Sequence, residues 1–559
     1  MKYEIPKTQR TVQVTGPDTL VLNAAKPVVA PGKRQILCRV ESIGLCFSDL
    51  KLIKQFTSHV RKGPVTSGID QNTLSEISSY VPDSKPTVPG HEAVVRICAV
   101  GEGVASCKPG QRFLVQTDYR WLLTANSNAA FGYNFEGALQ EYVLMDERVI
   151  TSPQGDSMLI PAPESLSASS IALVEPWACV EDSYASKDRA ALKKGGRMLV
   201  VVGTKVASGA LEGLFEKYGA PGEITWFGEY DPEDIRFPAG MARAKSPDEL
   251  KDAYYDDFLF FGSRAEMLEP LFRKIAPQGL LNIVLCGGRF GRPVVTAVGR
   301  VHYGGIRIVG TTGSDPCESM KTIPPSGEIR AGDLVNVVGA GGPMGAMHVI
   351  RNLCQGVEGV TVFAGDLDDD RLAALSATAE PLAQKYKAKY RPYNPRKENI
   401  SEQFDYAVIM APVPALVAGA VKTSARGAII NIFAGIPATV TGEMDLDAYV
   451  ERKLYFIGTS GSVLEDMKLV LAKVSTGSLD TNLSVAAVSG LDGAVEGIRA
   501  VEKASVPGKI VVYPQCRGLG LVPLPQLPER LPEVAKCLEN GVWTKRAETK
   551  LMEIFAREA

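Results

Sequence analysis

One stretch organises the sequence: Leu334-Val335-Asn336-Val337-Val338-Gly339-Ala340-Gly341-Gly342-Pro343-Met344-Gly345. An apolar, β-branched run ends in a cluster of glycines, and a helix-like segment follows over residues 346–353. This order predicts a strand, a tight turn and a helix. Glycine lets the backbone turn sharply and approach a pyrophosphate closely, while free N–H groups at a helix N-terminus attract negative charge. The stretch is therefore typical of a dinucleotide site.

A second predicted strand, over residues 359–365, leads into Asp366. Asp366 lies about 20 residues beyond the last glycine, where a carboxylate accepts both ribose hydroxyls and repels a 2′-phosphate. We therefore expect NAD rather than NADP, although a glycine-rich turn of an ordinary α/β domain is the alternative. Two glycine registers stay open, one through Gly339 and Gly341 and one through Ala340 and Gly342. The predicted cofactor-binding residues are Gly339, Gly341, Gly342, Pro343, Met344, Gly345 and Asp366.

Composition bounds the class of protein. The 559 residues are 45% hydrophobic and 22% charged, which indicates a soluble globular chain with room for about three domains. A net charge of −2 argues against nucleic-acid and membrane-surface partners. The sequence begins without an apolar signal region, so we expect a cytoplasmic protein. Ten cysteines without a Cys-x-x-Cys pair suit a reducing compartment and argue against a disulfide scaffold or a four-cysteine zinc lobe.

Residues 34–140 contain short β-type runs separated by Gly, Pro and Asp, among them 35–40, 93–100 and 112–116. Closely spaced strands with turn residues between them predict a barrel-like β domain. The polar segment 49–89 interrupts this pattern with little periodicity. We expect it to be a surface excursion or a flexible lid.

A candidate metal constellation lies in and after this β region: Cys46, His91, Glu92 and Glu175. A thiolate, an imidazole and a carboxylate can hold Zn²⁺ with one position left open, as a catalytic zinc requires. Taken singly, Cys46 is typical of a core residue and His91 of a turn residue. Because the chain has only four histidines, the combination favours a metal site.

Five short motifs follow one another along the chain, namely Gly44–Asp49, Pro89-Gly90-His91-Glu92, Pro109–Phe113, Gly137–Tyr142 and Glu175-Pro176. In this order they resemble the zinc-dependent medium-chain dehydrogenase/reductase family, whose catalytic domain is GroES-like. The Glu-Pro signature is most similar to its polyol and sugar branch, which includes sorbitol dehydrogenases. The loop 342–345 is similar to that of sorbose-phosphate reductases. The matching motifs cover about residues 30–180 and 330–513.

The resemblance implies a zinc site and a reaction. Cys46 and His91 would bind the metal. Either Glu92 or Glu175 would complete the protein ligands, and the other would reach the metal through water. Zn²⁺ would hold the substrate oxygen while hydride moves to or from NAD.

The resemblance also implies roles for residues that follow Cys46. Ser48 would relay the substrate proton, and Asp49 would orient His91. Lys51 stands where some alcohol dehydrogenases continue the relay with histidine, which leaves the outer relay open. Lys51 and Lys54 either attract an anionic substrate or are simply solvated.

About 130 additional residues separate the Glu-Pro motif from the glycine loop, where the family runs straight into one cofactor domain. Segment 197–203 parallels 334–339, and 223–229 parallels 360–366. A constant offset of 148 carries 257–261 onto 405–409 and also Gly279 onto Gly427. We therefore expect a tandem duplication of a Rossmann-like unit.

The two copies differ at the nucleotide loop. The first has Gly203-Thr204-Lys205-Val206 where the second is glycine-rich. Side chains there would crowd a pyrophosphate, so we expect no ordinary dinucleotide binding by the first copy, although Glu229 keeps the acidic position. The predicted last strands, 306–309 and 454–457, would pair the copies as an internal pseudo-dimer. A homodimer is the other state left open.

The predicted fold is α/β, with a β-rich barrel-like (GroES-like) catalytic domain and two tandem Rossmann-like doubly wound parallel sheets. The expected divisions are 1–185 (N-terminal part of the catalytic domain), 186–320 (degenerate first copy), 321–462 (NAD-binding second copy), 463–513 (return segment) and 514–559 (helical tail). In the tail, helices are expected over 528–540 and 545–556, the second amphipathic through Leu551, Ile554 and Phe555.

The leading hypothesis is a zinc-dependent oxidoreductase that transfers hydride between NAD(H) and a secondary alcohol or ketone of a polyol, sugar or sugar phosphate. Its predicted catalytic residues are Cys46, Ser48, Asp49, His91 and Glu92. The alternative is an isomerase, epimerase or lyase that holds NAD tightly and oxidises a sugar-like substrate transiently. A non-catalytic binding or sensor protein is the third hypothesis. The sequence does not identify the substrate.

Overall fold

The computed structural model describes residues 5–185, 187–207, 209–230, 240–459 and 461–558. They form two compact units. The first unit combines Met1–Ala178 with Ser462–Ala559, and the second is Cys179–Gly461. Within the described ranges, no helix has both the length and the apolar character needed to cross a bilayer.

The first unit begins with nine strands and the helices that connect them. These are β1 (Thr8–Gly16), β2 (Thr19–Pro27), β3 (Gln35–Gly44), α1 (Phe47–Gln55), α2 (Gln71–Ser75), β4 (Glu92–Val100), β5 (Arg112–Val115), β6 (Asp118–Leu123), β7 (Asn128–Ala130), β8 (Tyr142–Asp146), α3 (Glu147–Ile150), β9 (Leu159–Pro161), α4 (Ala168–Ala172) and α5 (Val174–Ala185).

The second unit contains two successive sets of strands and helices. The first set is β10 (Arg197–Val202), α6 (Ala210–Tyr218), β11 (Glu223–Gly228), β12 (Met241–Ala244), β13 (Tyr255–Phe261), α7 (Ala265–Leu268), β14 (Ile275–Val284), β15 (Val294–Thr296), α8 (Gly299–Tyr303), β16 (Arg307–Thr311) and α9 (Pro316–Met320). The second set is β17 (Leu334–Val338), α10 (Pro343–Cys354), β18 (Thr361–Gly365), α11 (Asp369–Tyr386), β19 (Lys389–Tyr393), β20 (Phe404–Ile409), α12 (Pro414–Thr423), β21 (Ser424–Ile432), β22 (Gly442–Met444), α13 (Leu446–Glu451) and β23 (Tyr455–Ile457).

The C-terminal part returns to the first unit. Its elements are α14 (Leu464–Ser475), β24 (Val485–Ser489), α15 (Ala494–Glu502), β25 (Lys509–Val512), β26 (Val522–Pro523), α16 (Leu527–Arg530), α17 (Pro532–Ala535) and α18 (Lys545–Glu558). Single 3₁₀ turns lie at Phe56–Ser58, Pro247–Glu249, Glu269–Lys274, Thr481–Ser484, Leu491–Gly493 and Leu524–Gln526.

An eight-stranded mixed sheet forms the body of the first unit. Its strand order is β26-β24-β25-β3-β4-β5-β9, and β8 pairs with the N-terminal half of β3. β1–β2 and β6–β7 form two smaller antiparallel sheets. β3 is the central strand, since β4, β8 and β25 all pair with it. The expected closure into a barrel stays a prediction.

The second unit contains two parallel six-stranded sheets with the same topology. Their orders are β12-β11-β10-β13-β14-β16 and β19-β18-β17-β20-β21-β23. When the six strands of each sheet are numbered in chain order, both sheets have the order 3-2-1-4-5-6, which is that of a doubly wound dinucleotide-binding sheet. Descent from one duplicated ancestor stays a prediction.

The two sheets of the second unit contact each other through their last strands and an added strand pair. β15 pairs antiparallel with β22. The hydroxyl of Tyr449 donates to Ile308 O at 2.8 Å and accepts from Phe456 N at 3.0 Å, so it links β16 to β23. One hydrophobic core includes residues of both sheets. In the described ranges β16 and β23 share no hydrogen-bond ladder, so the contact differs from the direct strand pairing expected for a pseudo-dimer.

The segment 49–89 has buried as well as exposed side chains, and its expected role as a surface excursion or flexible lid stays a prediction. Leu52, Phe56 and Leu74 are buried. Lys62 is also buried, and its ammonium donates to Val81 O and to Lys85 O, the latter at 2.9 Å. Burial lowers the pKa of Lys62 to about 8. Part of the segment is therefore packed, and two of its carbonyls bind the buried ammonium of Lys62. A sequence gives no sign of such packing where the elements are short and have no regular period.

The tail differs from prediction in its first helix. A single helix over 528–540 is wrong, because α16 and α17 are separated at Leu531. Pro532 has no N–H and disfavours the helical conformation of the preceding residue, and Leu531 accordingly has φ −142° and ψ 67°. α18 follows the expected amphipathic pattern, with Leu551 and Phe555 buried.

Glu548 of α18 anchors the tail to the first unit. Its carboxylate accepts from the backbone N–H groups of Ala168 (2.6 Å) and Ser169 (2.9 Å), at the N-terminus of α4. It also accepts from the hydroxyl of Tyr513 at 2.9 Å. The N–H groups of a first helical turn have no partner within their own helix, so this buried carboxylate satisfies donors that would otherwise be costly.

Replacing Glu548 with Ala is expected to lower the free energy of unfolding of the first unit by about 2–4 kcal/mol, since it leaves buried donors unpaired. Urea denaturation followed by tryptophan fluorescence measures this. Glu553→Ala is the matched control on the same helix, because the ion pair of Glu553 with Lys550 is exposed. Its effect should stay within about 0.5 kcal/mol. Equal losses in the two variants would contradict the anchoring role.

Candidate metal and cofactor sites

The register of β3 and β4 brings the predicted metal ligands together. Gly44, at the end of β3, pairs with Glu92, the first residue of β4. Cys46 follows two residues after Gly44, and His91 precedes Glu92. Glycine at position 44 leaves room for the Glu92 carboxylate in this position, because a Cβ there would lie 2.1 Å from Glu92 Oε2. The pairing of two strands about fifty residues apart in sequence thus builds one cluster.

Cys46, His91 and Glu92 offer a thiol, an imidazole and a carboxylate whose ligand atoms all lie within 4.8 Å of one another. Glu92 and His91 are buried and Cys46 is half-buried. Two anionic donors and one imidazole fit Zn²⁺, and three protein ligands leave a fourth position for water or substrate. The donor set therefore fits a catalytic rather than a structural zinc.

Asp49 fixes the orientation of His91. Its Oδ1 lies 3.0 Å from His91 Nδ1 and accepts from Gly90 N at 3.1 Å, while Oδ2 accepts from Cys46 N at 3.1 Å. A carboxylate only accepts, so Nδ1 carries the proton and the lone pair of Nε2 is left for a metal. Burial disfavours both charges, yet their mutual attraction raises the pKa of His91 and lowers that of Asp49.

Lys509 is a residue of this site that sequence reasoning missed. Its ammonium pairs with Glu92 Oε1 and donates to Leu45 O at 3.1 Å, and both side chains are buried. Burial opposes the charge of Lys509, but Glu92 and Cys46 keep its pKa above the usual range. The sequence signal that could have identified Lys509 is its position as the single charged residue of the apolar run 508–513. A cation buried in such a run needs an anionic partner.

The other carboxylate oxygen of Glu92, Oε2, is buried and has no hydrogen-bond partner among the residues that the structure describes. Leaving such an atom unsatisfied is costly. A cation beside Cys46 and His91 would satisfy it. This orphan oxygen is independent support for a metal at the cluster.

Glu175, in α5, is buried but lies outside the three-residue cluster. Burial raises its pKa to about 7, with repulsion from Glu92 adding to the effect and the charges of His91 and Lys509 opposing it. Of the two alternative carboxylates, the structure therefore brings Glu92 into the cluster. Glu175 stands close enough to feel the charges of the cluster.

The residues of α1 fall into different environments. Ser48 is the second residue of the helix and is half-buried, while Lys51 is exposed. Lys54 pairs with Asp18 at 2.7 Å and with Glu502 at 2.6 Å. These pairs balance the charge of Lys54 and weigh against its attracting a substrate, which stays a prediction.

The glycine loop joins β17 to α10 as a candidate pyrophosphate site. Gly339 has φ +88°, which favours glycine. At Gly345 a Cβ would lie 2.3 Å from Gly339 O, so glycine allows the helix to pack against the strand end. Gly342 is the N-cap of α10, and a Cβ there would meet nothing nearer than 3.9 Å. The open side at Gly342 favours the register through Ala340, Gly342 and Gly345.

Pro343 and Met344 open α10, and because Pro343 has no N–H, the unpaired donors of the first turn come from the residues after it. Asp366 follows β18 and contacts the same loop. Its Oδ2 accepts from Gly341 N at 2.8 Å, and Oδ1 accepts from Asp368 N at 3.1 Å. A half-buried carboxylate thus lies beside the glycines, as a ribose-binding acid must.

The corresponding loop of the first sheet has a different character. Thr204 and Lys205 follow Gly203 after β10, and residue 208 lies outside the described ranges. Glu229, the counterpart of Asp366, forms an ion pair with Arg264 at 2.8 Å. The carboxylate of Glu229 is therefore already paired with a cation, whereas the described contacts of Asp366 are with backbone N–H groups.

Known proteins resemble parts of this chain. Residues 32–154, which include Cys46, His91 and Glu92, match the alcohol dehydrogenase GroES-like domain. The uncharacterised Escherichia coli protein YggP is 26% identical over 249 residues, 41% of this chain and 58% of YggP. An alcohol dehydrogenase of Moraxella sp. is 28% identical over 134 residues, 22% of this chain and 33% of that enzyme.

One solved structure shares the fold. The 2R,3R-butanediol dehydrogenase of Bacillus subtilis aligns with a TM-score of 0.50 and 16% identity, covering 91% of this chain and 100% of that one. At this identity the likeness concerns the fold alone. The domain match and the Moraxella enzyme show similarity to alcohol dehydrogenases over part of this chain.

Replacing Asp49 with Asn should weaken zinc binding about 10–100-fold, because a neutral amide no longer holds His91 as a carboxylate does. Competition with a fluorescent zinc chelator measures the dissociation constant. Asp70→Asn is the control, since Asp70 caps α2 through Thr73 N and asparagine caps equally well. Unchanged zinc affinity in the Asp49 variant would contradict the role assigned to this residue.

Proposed function

We propose that this protein is a zinc- and NAD-dependent dehydrogenase of the medium-chain dehydrogenase/reductase family. It transfers a hydride between NAD(H) and a secondary alcohol or ketone of a polyol, sugar or sugar phosphate. The observation that carries the proposal is the cluster of Cys46, His91 and Glu92 within a GroES-like domain, with Asp49 holding His91.

In this reaction, zinc supplies Lewis-acid polarisation of the substrate oxygen, and nicotinamide supplies the hydride acceptor. Cys46, His91 and Glu92 would hold the metal, and Asp49 keeps the proton of His91 on Nδ1. Ser48 Oγ would take the proton of the substrate hydroxyl. Glu175 would remain near the cluster as a buried carboxyl.

Charge balance gives Lys509 a part in this proposal. A thiolate and a carboxylate together cancel the double charge of Zn²⁺. The ammonium of Lys509, paired with Glu92, adds one positive charge to the buried assembly. The buried carboxylate of Asp49 offsets this charge, so Lys509 keeps the assembly from becoming net negative, which would disfavour an alkoxide.

The second parallel sheet is the proposed NAD-binding domain. The N-terminus of α10 at Gly342 would bind the pyrophosphate, and Asp366 the adenosine ribose. The first sheet is proposed to be a duplicated copy that does not bind dinucleotide, supported by Lys205 in its loop and by the Glu229–Arg264 pair. A cytoplasmic location and an internal pseudo-dimer stay predictions.

Replacing Cys46 with Ser should abolish activity, because a serine hydroxyl stays protonated at neutral pH and is a poor zinc ligand. The assay follows NADH absorbance during oxidation of a panel of polyols and sugar phosphates, and native mass spectrometry counts bound zinc. We expect a loss of about 10³-fold or more, corresponding to several kcal/mol of transition-state stabilisation. Cys537→Ser, in the tail, is the matched control.

Full activity of the Cys46 variant would refute a catalytic zinc. NAD retained through purification, with substrate turnover but no net NADH, would instead favour an isomerase, epimerase or lyase. A biological function that needs no substrate turnover and that the Cys46 variant retains would favour a binding or sensor protein.

Replacing Asp366 with Asn should shift the cofactor preference. An amide still accepts from Gly341 N and the ribose, but it no longer repels a 2′-phosphate. We expect NADPH to gain and NADH to lose about tenfold in affinity each, as measured by quenching of cofactor fluorescence. Asp368→Asn is the control, because Asp368 caps α11 and asparagine preserves a cap. An unaltered ratio of the two affinities would remove Asp366 from the ribose site.

A further inference from the structure

The helix that follows the glycine loop buries polar side chains. His348, Arg351 and Asn352 of α10 lie within two turns of the helix, and each exposes at most 2% of its surface. In the first sheet, α6 holds the same place between the first two strands. The buried residues of α6 are all apolar, namely Leu211, Leu214 and Phe215. A sheet of this topology therefore packs its first helix through apolar side chains, and the fold does not require the polar residues of α10.

Tyr184 contacts all three of these residues from the part of α5 that belongs to the second unit. Its hydroxyl lies 2.8 Å from His348 Nδ1 and accepts from Asn352 Nδ2 at 2.9 Å. The guanidinium carbon of Arg351 lies 3.9 Å from the centroid of its ring. Burial lowers the pKa of His348 to about 3, so its imidazole is neutral near pH 7. One buried tyrosine thus contacts α10 through two hydrogen bonds and one cation–π contact.

Two carboxylates fix the guanidinium of Arg351. It donates to Glu181 at 3.0 and 3.2 Å and to Glu328 at 2.5 and 2.6 Å. Glu181 lies on α5 together with Tyr184, and Glu328 lies in the segment that leads into β17. Two forked contacts hold a planar guanidinium in one orientation, which a point charge such as an ammonium does not do. α10 is therefore tied both to the end of α5 and to the start of its own sheet.

Stability does not explain this network. Buried ion pairs contribute little net stability, since desolvation offsets attraction. In the described part of the chain, His348 Nε2 and Asn352 Oδ1 are buried without a hydrogen-bond partner, which is costly. The apolar side chains of α6 avoid both costs. What the polar contacts add is direction, because hydrogen bonds and forked ion pairs fix where a helix lies more narrowly than apolar packing does.

The position of α10 matters at its N-terminus. Gly342 caps the helix at the candidate pyrophosphate site. Gly345 lies against the end of β17, where a Cβ would be 2.3 Å from Gly339 O. His348 is less than two turns beyond Gly342, so a shift of the helix at His348 also moves its first turn.

We infer that Tyr184 is a positioning residue for the proposed NAD site, and that its contacts hold α10 where the first-turn N–H groups meet the pyrophosphate. This inference rests on the proposed function and adds to it a residue outside the glycine loop. Binding through backbone N–H groups depends on their direction, so a small displacement of the helix weakens it.

Replacing Tyr184 with Phe removes the hydroxyl and keeps the ring. We expect the dissociation constant of NADH to rise about tenfold, which corresponds to the loss of one charge-assisted hydrogen bond. Quenching of cofactor fluorescence measures this constant on the zinc-loaded, full-length protein. In turnover, KM for NAD should rise by a similar factor while kcat stays within about twofold, because saturating NAD restores the reacting complex.

Tyr449→Phe is the matched control. Tyr449 is buried in the same unit, and its hydroxyl bonds Ile308 O and Phe456 N rather than α10. The two variants should lose similar thermal stability, but Tyr449→Phe should bind NADH within about twofold of the unmodified protein.

A second variant tests the same contact from α10. Asn352→Leu removes one hydrogen-bond partner of the Tyr184 hydroxyl and should also weaken NADH binding. The double variant Tyr184→Phe/Asn352→Leu should bind NADH no more weakly than the more affected single variant, since both changes remove the same hydrogen bond.

Equal changes of NADH affinity in the Tyr184 and Tyr449 variants would overturn the inference, and so would an unchanged affinity in a folded Tyr184 variant. Hydrogen exchange of peptides covering residues 343–354, followed by mass spectrometry, separates the two proposals. Faster exchange in Tyr184→Phe than in Tyr449→Phe, in a protein that binds no NADH, would refute the NAD-dependent dehydrogenase and keep the positioning of α10. NADH binding and turnover, with equal exchange and equal affinity in the two variants, would do the reverse.

Discussion

The antiparallel pairing of β3 with β4 is the constraint on which the candidate site depends. It places Gly44 opposite Glu92, and the loops at these strand ends carry Cys46 and His91. Glu92 Oε2 occupies the space that a side chain at position 44 would fill. A slip of one residue would turn Glu92 to the other face of the sheet and separate the three ligands.

Buried charge concentrates at this point of the first unit. Asp49, His91, Glu92 and Lys509 are all buried, and each is charged or polar. The described contacts pair Asp49 with His91 and Glu92 with Lys509. An ion pair of this kind contributes little net stability, since desolvation offsets attraction. Such an arrangement is better explained by the chemistry of a site than by the needs of the fold.

The second unit separates fold from site. Its two parallel sheets share a strand order, yet their nucleotide loops differ. One loop ends in Gly342 and Gly345 beside Asp366, whereas the other carries Lys205, and its acidic residue is paired with Arg264. The shared order comes from the buried strands, which tolerate any well-packed apolar sequence. Binding depends on loop residues that packing does not constrain.

The sequence by itself determined the long apolar strands, the repeated order of strands and helices, and the residues Cys46, His91 and Glu92, because local patterns and residue chemistry carry that information. It did not determine that part of segment 49–89 is packed, that Leu531 separates two helices, or that Lys54 is already paired. Only the tertiary structure brought Glu92 within 4.8 Å of Cys46 and His91 and joined Lys509 to Glu92. That pair spans 417 residues, and a contact between positions so distant in sequence exists only once the strands that carry them have paired.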